Sequence, residues 1–240
     1  MKPKEISLST PLKEEMPNEG KVVTIEPESY GDAHVGTSFE TPVVKGAFKM
    51  SDKKKIEKIS GHFKSIMETL GLDLSDDSLA GTPNRVAKMY VQEIFSGLNP
   101  KNKPKATLFE NKYGYREMVV EKNITFYSNC EHHFVPIYGK AHVAYISTGK
   151  VIGLSKINRI VQYFAKRPQV QERLTIQIAE EMKRVLKTPH VAVVIDANHL
   201  CVSSRGVNDT NSETGTAIFD GKFKDEITKT EFLNFINSNN

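Results

Sequence analysis

The sequence has little cysteine and no long hydrophobic segment. Two cysteines among 240 residues exclude a scaffold built on disulfides. No apolar run approaches the roughly 20 residues that cross a bilayer. The first five residues lead into no apolar segment of the kind that a secretory signal requires. We therefore expect a soluble, cytoplasmic protein of a reducing compartment, with no membrane partner.

A strong excess of charge of one sign is also missing. The chain has 33 Lys and Arg against 29 Asp and Glu, which gives a formal net charge of +4. In a dedicated nucleic-acid binder the basic residues would dominate this balance, so we expect no nucleic-acid partner. Two nucleotide motifs are absent as well. Gly215, Gly221 and Lys222 fail the spacing of a P-loop, and no G-x-G-x-x-G fingerprint occurs.

Residues 1–48 are rich in Pro, Glu, Lys, Ser, Thr and Gly and show no sustained hydrophobic periodicity. Little apolar burial there would offset the entropy lost on ordering the chain. We predict a disordered or loosely docked N-terminal arm over residues 1–48, followed by one folded domain over residues 49–240. The alternative is an arm that docks on a neighbouring subunit.

Hydrophobic spacing in the folded part changes from helical to strand-like and back. A first helix is predicted over residues 52–70. A second is predicted with Thr82 as its cap, Pro83 in its first turn and Gly97 beyond its end. Strands are predicted at residues 118–120, 124–127, 142–146 and 191–195, and helices that begin at Ser155 and near residue 174 lie before the last of them. This order indicates an α+β fold.

The strongest candidate site combines Cys130-Glu131-His132-His133 with His199-Leu200-Cys201. Both cysteines of the chain and three of its seven histidines fall in these two short segments. Thiolate and imidazole suit zinc, and two cysteines with one histidine leave the fourth tetrahedral position open, as in catalytic zinc sites. The alternative is a pair of buried cysteines with ordinary turn histidines, because neither segment is a C-x-x-C hook.

A second candidate is a group of cationic residues around the last two predicted helices and just after Cys201. The group consists of Lys156, Arg159, Lys166, Arg167, Arg173 and Arg205. Lys156 and Arg159 project from one helical face near a helix start, where a polyphosphate is favoured. A solvated helix face explains the same pattern, and Arg173 beside Glu172 is equally compatible with a surface ion pair.

Several of these segments together resemble the GTP cyclohydrolase I family. They are residues 130–133, 153–161, 167–175 and 199–201, with Arg205-Gly206-Val207 after them. The resemblance extends over roughly residues 52–223 and includes Gly81-Thr82-Pro83-Asn84-Arg85. Residues 211–216 interrupt the threonine-rich run that is typical of the family, which concerns the path of that loop.

The resemblance implies a fold and a reaction. The fold is the tunnelling fold, in which antiparallel sheets with paired helices and N-terminal helices from several subunits close into a β-barrel. The assembly is a homodecamer with sites shared between subunits. The reaction is the zinc-dependent hydrolysis and rearrangement of GTP to 7,8-dihydroneopterin triphosphate with release of formate, the first step of tetrahydrofolate or related pterin biosynthesis.

The resemblance also implies a role for each matching residue. The implied zinc ligands are Cys130, His133 and Cys201. The implied catalytic residues are His132, His199 and Ser155, the last of them near the ribose. The implied substrate-binding residues are Glu172 and Gln171 for guanine, and Lys156, Arg159 and Arg205 for the triphosphate. The alternatives are a tunnelling-fold nitrile reductase and a non-catalytic, zinc-stabilised assembly protein.

Overall fold

The computed structural model describes residues 38–238. The α-helices in this range are Asp52–Thr69 (α1), Asp77–Ala80 (α2), Thr82–Met89 (α3), Leu154–Ala165 (α4), Gln171–Leu186 (α5), Leu200–Ser203 (α6) and Glu226–Asn237 (α7). The strands are Leu108–Glu110 (β1), Met118–Cys130 (β2), Pro136–Ile146 (β3), Lys150–Ile152 (β4), Pro168–Gln169 (β5), Val191–His199 (β6) and Thr214–Phe219 (β7). The predicted α+β class is confirmed. No helix among the described residues has the length and apolar character needed to span a membrane.

The first predicted helix is confirmed as α1. Ser51 caps it, because its hydroxyl accepts a hydrogen bond from the backbone N–H of Lys54 (3.4 Å). Gly71 follows its C-terminus with a φ of +81°, a conformation that favours glycine. Of the predicted arm, residues 1–37 lie outside the described residues, and residues 38–48 lead into α1. The arm as a separate unit stays a prediction.

The second predicted helix differs from the expectation at both ends. Gly81, not Thr82, is the N-cap, and the Thr82 hydroxyl instead accepts from the Arg85 guanidinium (2.8 Å). The α-helix ends at Met89 and continues as a π-helix over Tyr90–Ile94. Gly97 has a packing role as well, because a Cβ there would lie 2.0 Å from the carbonyl oxygen of Tyr163 in α4.

One five-stranded sheet positions the candidate site. Its strand order is β5-β2-β3-β6-β7, with every pair antiparallel except β5 and β2. The predicted strands at residues 118–120 and 124–127 form one strand, β2, whose register shifts between Glu121 and Ile124. Strand β7 and helix α7 were not predicted.

The hydrophobic core lies between one face of this sheet and helices α4 and α5. Its fully buried side chains include Phe126, Ile157, Leu174 and Ile178. Burial of a side chain of this size contributes about 1.5–3 kcal/mol to stability. A smaller cluster on the opposite face contains Phe232 of α7. The core therefore fixes α4 and α5, which carry most of the predicted substrate-binding residues, against the sheet.

Candidate active site

The topology of the sheet brings the two cysteine segments together. Strand β2 ends at Cys130, and a tight loop leads into β3 at Pro136. The end of β6 lies beside the start of β3, with Ile137 opposite His199. Cys201 follows directly in α6. Since the end of β2, the start of β3 and the end of β6 meet at one edge, segments far apart in the sequence become neighbours.

Cys130, His133 and Cys201 form a compact group. One potential ligand atom from each side chain lies within 4.8 Å of the others. Burial is the main cause that raises the pKa of Cys201, and the adjacent Cys130 thiol raises it further. The positive charge of Arg205 opposes this rise. Two thiols and one imidazole are the donor types that zinc prefers, with a fourth position left for a water or a substrate. The three side chains therefore fit a zinc ion of the catalytic type.

The loop of residues 130–135, here called the metal loop, has a defined backbone. The N–H of Cys130 donates to the Val135 carbonyl (2.9 Å), and the N–H of Phe134 donates to the Cys130 carbonyl (2.8 Å). Phe134 has a φ of +55°, which is uncommon for a residue with a side chain. Its ring packs on Phe95, with centroids 5.1 Å apart. These contacts present His132 and His133 at an exposed tip.

His132 lies beside the group of Cys130, His133 and Cys201, here called the metal group. Its Nδ1 is 3.7 Å from the Cys130 sulfur, and its Nε2 is 3.9 Å from an oxygen of Glu131. The side chain is 40% exposed, so a ligand from outside the chain can reach it. This position suits a proton carrier next to a metal rather than a core histidine.

His199 is held in one orientation by Gln171. The Gln171 amide nitrogen donates to the carbonyls of Ile195 (3.0 Å) and Thr214 (2.7 Å), which fixes the direction of the amide. Its oxygen then faces Nε2 of His199 at 2.7 Å and can only accept, so His199 donates from Nε2. Burial lowers the pKa of His199, with the charge of Glu172 opposing. In the neutral ring, Nδ1 is therefore the basic nitrogen.

Glu172 and Gln171 begin helix α5, directly after the short strand that pairs with the end of β2. Glu172 is exposed, and its charge acts on His199. Gln171 is only 2% exposed, and its amide is fully engaged inside the chain. The structure thus gives Gln171 a contact to His199 that the sequence did not suggest, and its predicted role toward guanine stays a prediction.

The predicted cationic residues do not form one patch, and Lys166 lies at the C-terminal cap of α4. Arg205 lies at the metal group, where its Nη1 donates to Nε2 of His133 (2.8 Å). Ser155, Lys156 and Arg159 lie in the first half of α4. Helix α4 runs alongside β2, because Asn158 donates to Glu121 (3.3 Å) and Gln162 donates to the carbonyl of Thr125 (2.7 Å).

This alignment separates the start of α4 from the metal group. Glu121 precedes Cys130 by nine residues of β2, which is about 30 Å of extended strand, so the turns of α4 that lie beside Glu121 are far from Cys130. No arginine or lysine side chain spans that distance. Within one chain, Ser155, Lys156 and Arg159 therefore do not join the cysteine and histidine residues.

Arg167 and Arg173 are not part of a solvated face. Arg167 is buried against Tyr163 and Phe164 and donates to the carbonyl of Gly97 (2.9 Å). The alternative of a surface ion pair between Arg173 and Glu172 does not hold. Arg173 is buried and binds Glu131 with two hydrogen bonds. Sequence reasoning missed Glu131, for which the only signal was its place between Cys130 and His132.

Comparison with known proteins identifies relatives along most of the chain. The sequence model of GTP cyclohydrolase I matches residues 59–237. GTP cyclohydrolase 1 of Flavobacterium johnsoniae is 60% identical over 209 residues, 87% of this chain and 94% of that protein. GTP cyclohydrolase 1 of Aeromonas salmonicida is 58% identical over 81% of this chain and 88% of that protein. GTP cyclohydrolase 1 of Citrobacter koseri is 53% identical over 87% of this chain and 95% of that protein.

Proposed function

This chain belongs to the GTP cyclohydrolase I family, and we propose that it converts GTP to 7,8-dihydroneopterin triphosphate and formate. The product serves as the first intermediate of tetrahydrofolate or related pterin biosynthesis. The observation that carries the proposal is the convergence of Cys130, His133 and Cys201 within 4.8 Å. His132 and His199 lie beside this group, as the family's chemistry needs.

The proposed cofactor is one zinc ion per subunit, held by Cys130, His133 and Cys201. Zinc bound by two cysteines and one histidine supplies a nucleophile derived from water at neutral pH. The cofactor proposal therefore has support from the donor types and from their spacing.

His132 and His199 are the proposed proton carriers. Attack at C8 of the purine requires a proton at N7, and a histidine is suited to deliver it near neutral pH. The later steps hydrolyse the resulting formamide to release formate, open and rearrange the ribose, and close the pterin ring, and each of them moves protons. Since Gln171 holds Nε2 of His199, Nδ1 is the nitrogen that is left for these proton transfers. Ser155 is the proposed hydroxyl near the ribose.

Glu172 is the residue proposed to recognise the guanine base. A carboxylate accepts two hydrogen bonds from the guanine edge, one from N1–H and one from the exocyclic amine, and adenine cannot make the same pair. The position of Glu172 at the start of α5, exposed and close to His199, supports this role.

Lys156, Arg159 and Arg205 are the proposed partners of the triphosphate. The distance between the first half of α4 and the metal group supports a site assembled from two chains, with Arg205 near the metal and the α4 residues from a neighbour. The sheet also favours association. Among the described strands, most of β2 has no partner on its outer side, and β7 pairs only with β6. Unpaired strand edges of this kind need to be paired with another strand or covered by another segment.

We therefore propose a ring-shaped homo-oligomer, a decamer, in which the sheets of neighbouring subunits close into the barrel of the tunnelling fold. Closure of the barrel would satisfy both open edges of the sheet. It would also create pockets between subunits, where ligand sites are common. The substrate-binding residues of α4 would then face the metal group of the next chain.

Complementation between inactive subunits tests the shared site. Co-expressed Cys130→Ala and Arg159→Ala chains should form mixed rings in which about one quarter of the sites receive both intact residues, by random pairing of neighbours. We expect about a quarter of the wild-type turnover. The matched control is a mixture of Cys130→Ala and Cys201→Ala chains, which should stay inactive because both cysteines of a site come from one chain. Equal activity of the two mixtures would contradict a shared site.

An assay of formate tests the reaction itself. The purified full-length protein with one equivalent of zinc should release formate from GTP and generate a fluorescent pterin after oxidation of the product. ATP should yield neither product, and removal of zinc by a chelator should stop the reaction until zinc is restored. A zinc-loaded oligomer that releases no formate from GTP would defeat the proposed function.

A further inference from the structure

Glu131 stands between Cys130 and His132 and is held at both its backbone and its side chain. Its N–H donates to the Gln169 carbonyl (3.0 Å). Its carboxylate accepts from Arg173 twice, with 2.5 Å from Nη1 to Oε2 and 3.1 Å from Nη2 to Oε1. Only 3% of the Arg173 side chain is exposed, so water offers the guanidinium little alternative. The metal loop is thus fixed from two directions at this residue.

Arg173 also connects the metal loop to the segment before α1. Its Nε donates to the carbonyl of Ser38 (2.8 Å), which lies 135 residues earlier in the chain. The guanidinium is planar and rigid, so its bond to Ser38 and its two bonds to Glu131 share one orientation. A displacement of Ser38 would leave a buried N–H without its acceptor and would loosen the orientation of the whole group.

A second chain of hydrogen bonds connects Phe39, the residue after Ser38, to Glu131. The carbonyl of Phe39 accepts from the Gln177 amide (3.0 Å), and the oxygen of Gln177 accepts from the Gln169 amide (2.9 Å). The backbone carbonyl of Gln169 is the acceptor of the Glu131 N–H. Gln169 and Gln177 are 0% and 2% exposed. Two adjacent carbonyls are therefore linked, through buried side chains, to the one residue between Cys130 and His132.

The segment of residues 38–41, here called the strap, has further contacts beyond these two. Thr41 is 9% exposed. The Glu40 carboxylate lies 3.9 Å from the Arg167 guanidinium, whose side chain is 9% exposed. The strap therefore contacts the same helical layer that carries Glu172, while Ser38, Phe39 and Glu40 are exposed on its outer side.

We propose that the strap positions the metal loop through Arg173 and Gln177, and that Glu131 is the residue through which it acts. None of these groups is among the proposed substrate-binding residues. Their effect is to keep the Cys130 sulfur and the His132 ring in one arrangement. The catalytic part of this inference rests on the proposed function, whereas its structural part requires only that the loop be held. Partners of this kind typically change metal affinity or activity by 10- to 100-fold when they are lost.

Two truncations of the full chain separate the strap from the residues before it. Removal of residues 1–36 keeps Ser38 and Phe39, and removal of residues 1–41 deletes both acceptors. We expect the shorter deletion to behave as the full-length protein. The longer deletion should release zinc to a chelator about tenfold faster and lower kcat about tenfold, with the KM for GTP within a factor of two. Identical behaviour of the two truncations would overturn the proposal.

Full-length variants guard against a truncation that simply fails to fold. Gln177→Met removes the donor to Phe39 at similar volume, and Arg173→Lys keeps the charge but loses the planar fork. Each should reproduce the faster zinc release. If the strap acts through Arg173 and Gln177, removal of residues 1–41 should add little in a chain that carries both Arg173→Lys and Gln177→Met. A full additional effect of the truncation in that double variant would contradict the proposed routes.

Glu131→Gln has a matched control in Glu181→Gln. Glu181 is also a buried carboxylate bound by an arginine fork on α5, with 2.6 and 2.9 Å to Arg184, but it contacts no part of the metal loop. Both variants should lower the unfolding temperature. Only Glu131→Gln should accelerate zinc release and lower kcat about tenfold or more. Equal kinetic effects in the two variants would reduce Glu131 to a purely structural role.

Amide hydrogen exchange provides a measurement that depends on neither zinc nor GTP. In the metal-free protein, removal of residues 1–41 should accelerate exchange within residues 130–135 relative to removal of residues 1–36, while β6 stays protected. Unchanged exchange in the metal loop would refute the positioning role of the strap even if the enzyme is active. An inactive wild-type protein with accelerated loop exchange would instead defeat the proposed function and leave the strap supported.

Discussion

Cys201→Ser should remove both the metal and the turnover. A serine hydroxyl is a much weaker zinc ligand than a thiolate, and it would leave two donors in a group whose three ligand atoms lie within 4.8 Å. We expect purified protein with less than about a tenth of the wild-type zinc content, and kcat lower by at least about a thousandfold, because water unaided by a cation has a pKa far above neutrality. Elemental analysis of the purified oligomer and the formate assay measure the two quantities.

The two neighbouring histidines provide the control for this prediction. His133→Ala should lose zinc as Cys201→Ser does. His132→Ala should keep zinc while kcat falls, since His132 lies beside the group and is proposed to move a proton rather than to bind the ion. Full zinc content in Cys201→Ser with activity retained would refute the ligand set. Equal zinc content in the two histidine variants would refute their division of roles.

Glu172→Gln should weaken the use of GTP while leaving the fold and the zinc content unchanged. The carboxylate is acceptor-only, whereas an amide points an N–H donor at one of the two guanine donors. We expect kcat/KM for GTP to fall about 100- to 1000-fold, the range for loss of one partner of a charged hydrogen-bonded pair. Steady-state kinetics of the purified oligomer would measure this loss.

A substrate analogue makes the test of Glu172 sharper. Inosine triphosphate lacks the exocyclic amine, so the wild-type preference for GTP over inosine triphosphate should shrink in Glu172→Gln. The control is Glu180→Gln, an exposed carboxylate on the same helix that pairs with Lys183, and its kinetics should match those of the wild type. An unchanged preference in Glu172→Gln would mean that the base is read by another residue.

Local patterns in the sequence predicted the elements that depend on neighbours along the chain. Helix α1 follows from its hydrophobic spacing and from Ser51 at its start. Helix α3 did not follow as expected, because the hydroxyl of Thr82 binds Arg85 instead of the backbone. The close contact at Gly97 depends on α4, which packs there from a distant part of the sequence. Such long-range contacts leave no local pattern.

The amino-acid sequence by itself determined the donor types of the candidate site, since both cysteines and three histidines fall in two short segments, and its longer motifs indicated the family and the chemistry that the family implies. Tertiary structure alone decided how that chemistry is divided and held. It joined Glu131 to Arg173 across 42 residues, attached Gln171 to His199, and separated the start of α4 from the metal group. The physical reason is that donor type is a property of each residue, whereas pairing depends on which strands and helices the core packs side by side.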